Sequence, residues 1–75
     1  MNIQVLIALT ELIRQRATGS PAELAKKLGI SERMVYNYIE DLKAEFNAPI
    51  KYNRTERTYY YEGEGHLHLF WEKEG

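Results

Sequence analysis

Leu28-Gly29-Ile30-Ser31 is the segment that most restricts what this chain can fold into. It lies between two stretches with helical spacing and is too short for a loop that crosses a domain. Gly29 breaks the first stretch. Ser31 has a side-chain oxygen suited to cap the second. Leu28 and Ile30 are apolar and fill the corner. Two helices joined this tightly meet at a steep angle, and the second stands out from the body.

The flanking helices have clear limits. Ser20-Pro21-Ala22-Glu23 is a start signal: Ser20 can cap, Pro21 needs no N–H acceptor, and Glu23 completes a capping box. The helix from Pro21 to about Leu28 buries Leu24, Ala25 and Leu28. The next runs from about residue 32 to 46. Its apolar positions Val35, Ile39, Leu42 and Phe46 form an i, i+4, i+7, i+11 stripe. Upstream, Ile3, Leu6, Ile7, Leu9, Leu12 and Ile13 predict a first helix from about Asn2 to Ala17, with Gly19 as its left-handed end.

After Pro49 the apolar period changes to two. Ile50-Lys51-Tyr52 and Thr58-Tyr59-Tyr60-Tyr61 are β-prone, and Asn53–Arg57 between them is turn-like, so the pair reads as a hairpin. Gly63 and Gly65 mark a break. His66–Trp71 alternates again and reads as a third strand or an apolar tail. The expected architecture is α+β, mainly α: three helices followed by a β-hairpin wing, with room for an extra C-terminal strand. The expected division is a winged helix-turn-helix domain over residues 1–62 and an acidic, apolar segment over 63–75.

Composition excludes several alternatives. Seventy-five residues make one domain. There is no cysteine, hence no disulfide or thiolate metal site, which fits a reducing cytoplasm. The N-terminus lacks a basic region, and Thr10 and Glu11 interrupt its apolar run, so no signal peptide is expected. No stretch approaches the ~20 apolar residues that span a membrane. His66 and His68 are too few for a structural zinc site, which takes four ligands. No nucleophile–base pair or phosphate-cradling loop is present, so no cofactor and no enzymatic activity are expected.

The net charge of −1 hides an asymmetry. Residues 1–57 hold nine Lys/Arg against seven Asp/Glu, a balance of +2; residues 58–75 hold one against four, a balance of −3. The body is weakly basic and the tail acidic, so a single copy is expected to bind a polyanion weakly.

The run from Ala22-Glu23-Leu24-Ala25 through Leu28-Gly29-Ile30-Ser31-Glu32-Arg33-Met34-Val35-Tyr36 resembles the helix-turn-helix of DeoR-like, WYL-type and biotin-repressor-type bacterial regulators. Ile39 to Leu42, Pro49-Ile50 and the Tyr-rich strand extend the likeness over roughly residues 3–62. The resemblance implies a transcriptional regulator whose third helix reads double-stranded DNA, with Ser31, Arg33, Tyr36 and Asn37 facing it. Met34 stands where the family often has Thr, and Asn37-Tyr38 where it often has Arg-Asp; Met34 completes the expected DNA-facing set.

Residue chemistry agrees with that set. Arg33 lies in the first turn, which reaches deepest into a major groove, and Arg bonds guanine bidentately. Asn37, one turn on, can do the same to adenine. Ser31 and the first-turn N–H groups can hold a phosphate. Tyr36 can donate to the backbone, and Tyr38, about 100° away, packs on the body. Lys51, Arg54 and Arg57 on the hairpin, and Lys26 and Lys27 at the end of the second helix, are phosphate candidates.

Two functions are consistent with the sequence. One is a cytoplasmic, sequence-specific DNA-binding regulator. It would be homodimeric through the wide apolar stripe of the first helix and the Leu67/Leu69/Trp71 segment. The other is a winged helix used for protein–protein contact, favoured by near-neutral charge, six tyrosines and an apolar tail.

Overall fold

The computed structural model describes residues 2–63, 65–67 and 71–73. Three helices, α1 (Ile3–Arg14), α2 (Pro21–Leu28) and α3 (Glu32–Phe46), precede an antiparallel hairpin of β1 (Ile50–Asn53) and β2 (Thr58–Tyr61). This is a winged helix-turn-helix, mainly helical with a two-stranded wing. Two further short strands, β3 (Gly65–Leu67) and β4 (Trp71–Lys73), pair with each other in a separate sheet. The segment His66–Trp71, read as a third strand or an apolar tail, has its first residues in one strand and Trp71 in the other. Leu67 and Trp71 are register partners, while His68 and Leu69 lie outside the described residues.

Each helix of the motif starts on its expected cap. Ser20 Oγ accepts from the Glu23 N–H at 3.2 Å, and Glu23 Oε1 accepts from the Ser20 N–H at 3.2 Å, a complete capping box. Ser31 Oγ accepts from the Met34 N–H at 3.1 Å. Gly29 closes α2 in the left-handed region, at φ +68°. Its neighbour Ile30 donates back to the Ala25 carbonyl at 3.0 Å. That paired backbone is what turns the chain sharply into α3.

The first helix is shorter than its periodicity predicts. It ends at Arg14, not near Ala17, and Gly19 is not the residue that ends it. Arg16 takes the left-handed role instead, at φ +54°. The Arg16 N–H reaches the Ile13 carbonyl at 3.0 Å and the Ala17 N–H the Leu12 carbonyl at 2.9 Å, the double closure of a Schellman motif. Gly19, at φ +73°, makes a separate bend just before the Ser20 cap. A Cβ there would lie 3.0 Å from the Glu23 Cβ, so that bend favours glycine.

The core gathers one stripe from each helix and from the β1–β2 hairpin. Leu9 and Ile13 of α1, Leu24 and Ala25 of α2, Val35, Tyr38, Ile39 and Leu42 of α3, and Ile50 and Tyr59 of the hairpin are buried together. Ala48 joins them from the α3–β1 link, and Val5, Leu6, Leu12, Leu28 and Phe46 pack against the cluster. The Tyr38 hydroxyl lies 3.0 Å from the Asn2 N–H, which donates to it, so α3 also anchors the start of α1. Ile3 and Ile7 stay 64% and 61% exposed and belong to another face of α1.

A pair of buried hydroxyls ties the hairpin to the α1–α2 link. Thr18 Oγ1 accepts from the Tyr59 N–H at 2.8 Å, and Thr58 Oγ1 accepts from the Thr18 N–H at 3.2 Å. The two oxygens lie 3.1 Å apart, and both side chains are essentially sealed from solvent. The wing is thus hydrogen-bonded into the body at its second strand.

Candidate nucleic-acid interface

The burial of α3 decides which of its residues can meet a ligand. Val35, Tyr38, Ile39 and Leu42 face the core, as a 3.6-residue period requires. The opposite side presents Arg33 and Asn37, with Met34 and Tyr36 on its two flanks, all four exposed within the first two turns. Met34 and Tyr36 are 42% and 49% exposed. Arg33 and Met34 lie four and three residues before Asn37, so both are its neighbours on the helix surface. Met34 and Asn37 also line a shallow groove of about 190 Å³ with Tyr38 and Asp41.

The helix start is open to an anion in its backbone and closed in its side-chain cap. Ser31 Oγ is engaged by the Met34 N–H. The Glu32 and Arg33 N–H groups have no intrahelical acceptor, as in any first turn. Glu32 adds a negative charge beside them, which suits the helix dipole but repels phosphate.

The hairpin lies beside this helix start. Tyr59 of β2 is close enough to Tyr36 and Glu32 to feel their charges. Burial, more than those charges, pushes its hydroxyl up to about 12. Tyr52 meets Tyr59 edge to face, with ring centroids 4.9 Å apart. Tyr61, half-buried, is likewise raised to about 12 by the burial it has.

The expected basic residues fall into two groups. Arg33, Lys26, Lys51 and Arg54 are exposed and make no ion pair among the described residues. Arg57 and Lys27 are engaged instead. The Arg57 guanidinium lies 2.7 Å from Glu23 Oε1, and Lys27 Nζ donates to the Ala17 carbonyl at 2.7 Å. Both line an open cleft with Arg16, Glu23 and Glu56. The Ser20 backbone N–H, then its hydroxyl, then Arg57 hold the Glu23 carboxyl below the usual carboxylate range. Arg57 itself is left-handed, at φ +53°, where the hairpin turn re-enters β2.

Arg16 is the residue that sequence reading missed. It pairs with Glu56 at 3.0 Å, and its guanidinium lies 4.7 Å from the centroid of the Tyr60 ring. Glu56 is 40 residues away along the chain, so no local spacing reveals the pair.

The described residues hold no group of three or more His, Asp or Glu side chains placed to bind a metal ion. No helix among them is long and apolar enough to cross a membrane. The arrangement is a protruding helix with mixed polar and apolar side chains at its start and a hairpin alongside.

A family model described as an HTH domain matches residues 5–59, from the first helix into the second strand of the hairpin. No curated protein and no solved structure matches the chain. The family match covers the capped α2–α3 unit, its Gly29 turn and most of the wing, and the chain belongs to the family of helix-turn-helix DNA-binding domains.

Proposed function

We propose that this domain is a sequence-specific regulator acting on double-stranded DNA. In this reading α3 enters the major groove by its first two turns, and the β1–β2 hairpin lies along the sugar-phosphate backbone. The observation that carries it is the cluster of Arg33, Met34, Tyr36 and Asn37. All four are exposed at the start of α3, Arg33 and Asn37 opposite the core and Met34 and Tyr36 beside them, and Arg33 has no counterion among the described residues. Ser31 and the free N–H groups beside it serve a phosphate. Lys26, Lys51 and Arg54 are exposed and supply further backbone contacts. Arg57 and Lys27 contribute only where a phosphate replaces their present acceptors.

One copy carries a weak field, so the regulator acts as a homodimer in the cytoplasm. Ile3 and Ile7, one turn apart and both exposed on α1, support a self-association face. Residues 1–62 form the DNA-binding unit, and residues 63–75 supply the rest of that face. Sedimentation of wild type against Ile7→Glu checks this: a dimer that the substitution splits is expected, and a wild-type monomer at micromolar concentration overturns it.

The same exposed apolar side chains and the net charge of −1 favour a second reading, a protein-binding winged helix. Selection from a random duplex library with salt steps separates the two. The DNA reading predicts an enriched motif and log Kd rising linearly with log salt, with a slope of about 0.9 per phosphate contact. Absence of salt-dependent binding near physiological ionic strength favours the protein-binding alternative.

A further inference from the structure

We infer that Met34 is a specificity-determining residue that reads the 5-methyl group of thymine, beside an adenine read by Asn37. The inference rests on the DNA-reading function proposed above and names what that surface selects.

Three observations support it. Met34 is one of the few large apolar side chains left exposed, at 42%, on the flank of α3 between buried Tyr38 and exposed Asn37. Its backbone is held in the first turn, since its N–H donates to Ser31 Oγ at 3.1 Å. It therefore projects from the first turn, the part of a reading helix that meets base edges. Finally, it shares a shallow groove with Asn37, three residues on. An apolar group and a carboxamide lie together there.

Base chemistry is selective about such a pair. In the major groove only thymine presents an apolar group, the methyl on C5. Adenine offers N7 as acceptor and the N6 amino group as donor, the pattern a carboxamide matches at two points. The same groove has Asp41 at its other end. That carboxylate repels phosphate and leaves the Met34 end to approach the bases. Arg33, the other neighbour of Asn37 in the first turn, then falls on guanine. The predicted half-site holds an A·T pair under Asn37, a thymine methyl against Met34, and a guanine beside them.

Replacing thymine by deoxyuracil removes the methyl and leaves every hydrogen-bonding group in place. The test is fluorescence anisotropy on the duplex enriched from the library, with each thymine replaced in turn. Burial of one methyl is worth about fourfold in an equilibrium constant. Wild type is expected to lose about that factor at one thymine. Met34→Ala is expected to bind thymine and uracil duplexes alike, and Met34→Leu to restore the difference. Circular dichroism melting checks that these exposed substitutions leave the fold intact. A wild type indifferent to uracil at every position overturns the inference while leaving the DNA reading standing. A uracil penalty that persists in Met34→Ala also overturns it, because another residue then senses the methyl. Failure to bind any duplex removes the DNA reading and this inference with it.

Discussion

Two regions of this domain carry positive charge, and they hold it in opposite ways. On α3, Arg33 stands without a counterion among the described residues, amid exposed Met34, Tyr36 and Asn37. At the corner where the hairpin turn meets the α1–α2 link, Arg16 and Arg57 are paired with Glu56 and Glu23, and Lys27 with a backbone carbonyl. The corner has more cations but less charge to offer. A phosphate that docks there must displace an acceptor already in place. A count of lysines and arginines thus says little about where a polyanion binds; the count of uncommitted ones says more. The corner's cations are committed within the fold, and the Arg33 cation is not.

Substitutions can break that division. Arg33→Ala should have the largest effect on binding, lowering affinity for the selected duplex by about 10- to 100-fold, the worth of a good bidentate base contact. Its melting temperature should stay within about 2 °C, as for exposed sites away from special features. A large loss of stability instead would make Arg33 structural. Thr18→Val should do the converse. It strands the Tyr59 N–H in a sealed site and should cost about 1–2 kcal/mol of stability, read from urea unfolding, with little change in affinity per folded molecule. Equal stability would mean that the hydroxyl pair is not what holds the wing.

Arg57→Ala sharpens the contrast with Arg33. Its pair with Glu23 is largely solvent-exposed, so the urea unfolding midpoint should barely move. Affinity should change by less than about threefold at physiological salt, where exposed charges are screened. A tenfold loss would put the corner on the DNA. The smallest effect near neutral pH concerns two tyrosines of β2. The hydroxyls of Tyr59 and Tyr61 are raised to about 12 by burial, above the ordinary value near 10. The folded state therefore favours their neutral form. That contribution is complete below pH of about 10 and is lost as pH rises towards 12. Phenolate absorbance should show part of the tyrosines ionising late and together with unfolding. Uniform ionisation near pH 10 in a folded protein would contradict it.

Much of the fold is legible locally. Ser20, Pro21 and Glu23 announce α2 within four residues, and Gly29 and Ser31 announce the turn and α3. The stripe of Val35, Ile39 and Leu42 tells which side of α3 is buried, and so which side is open. Other features leave no local trace. Arg16–Glu56, Arg57–Glu23 and Thr18–Thr58 join residues 34 to 40 positions apart. The end of α1 was hidden for a different reason. Gly19 and Arg16 are both left-handed, but the bonds that close the helix fall at Arg16 and Ala17, a position that residue type does not mark. The breadth of the α1 stripe likewise did not reveal that Ile3 and Ile7 leave the core while Leu9 and Ile13 enter it.

Arg16 also bears on how this domain can be altered. A left-handed backbone disfavours any residue with a Cβ by roughly 1 kcal/mol relative to glycine. Glycine at this position would relieve that strain, yet it would sever the guanidinium from both Tyr60 and Glu56. Position 16 therefore joins a helix end to the wing through one side chain, and its neutral variants would grade that link while α3 keeps its sequence.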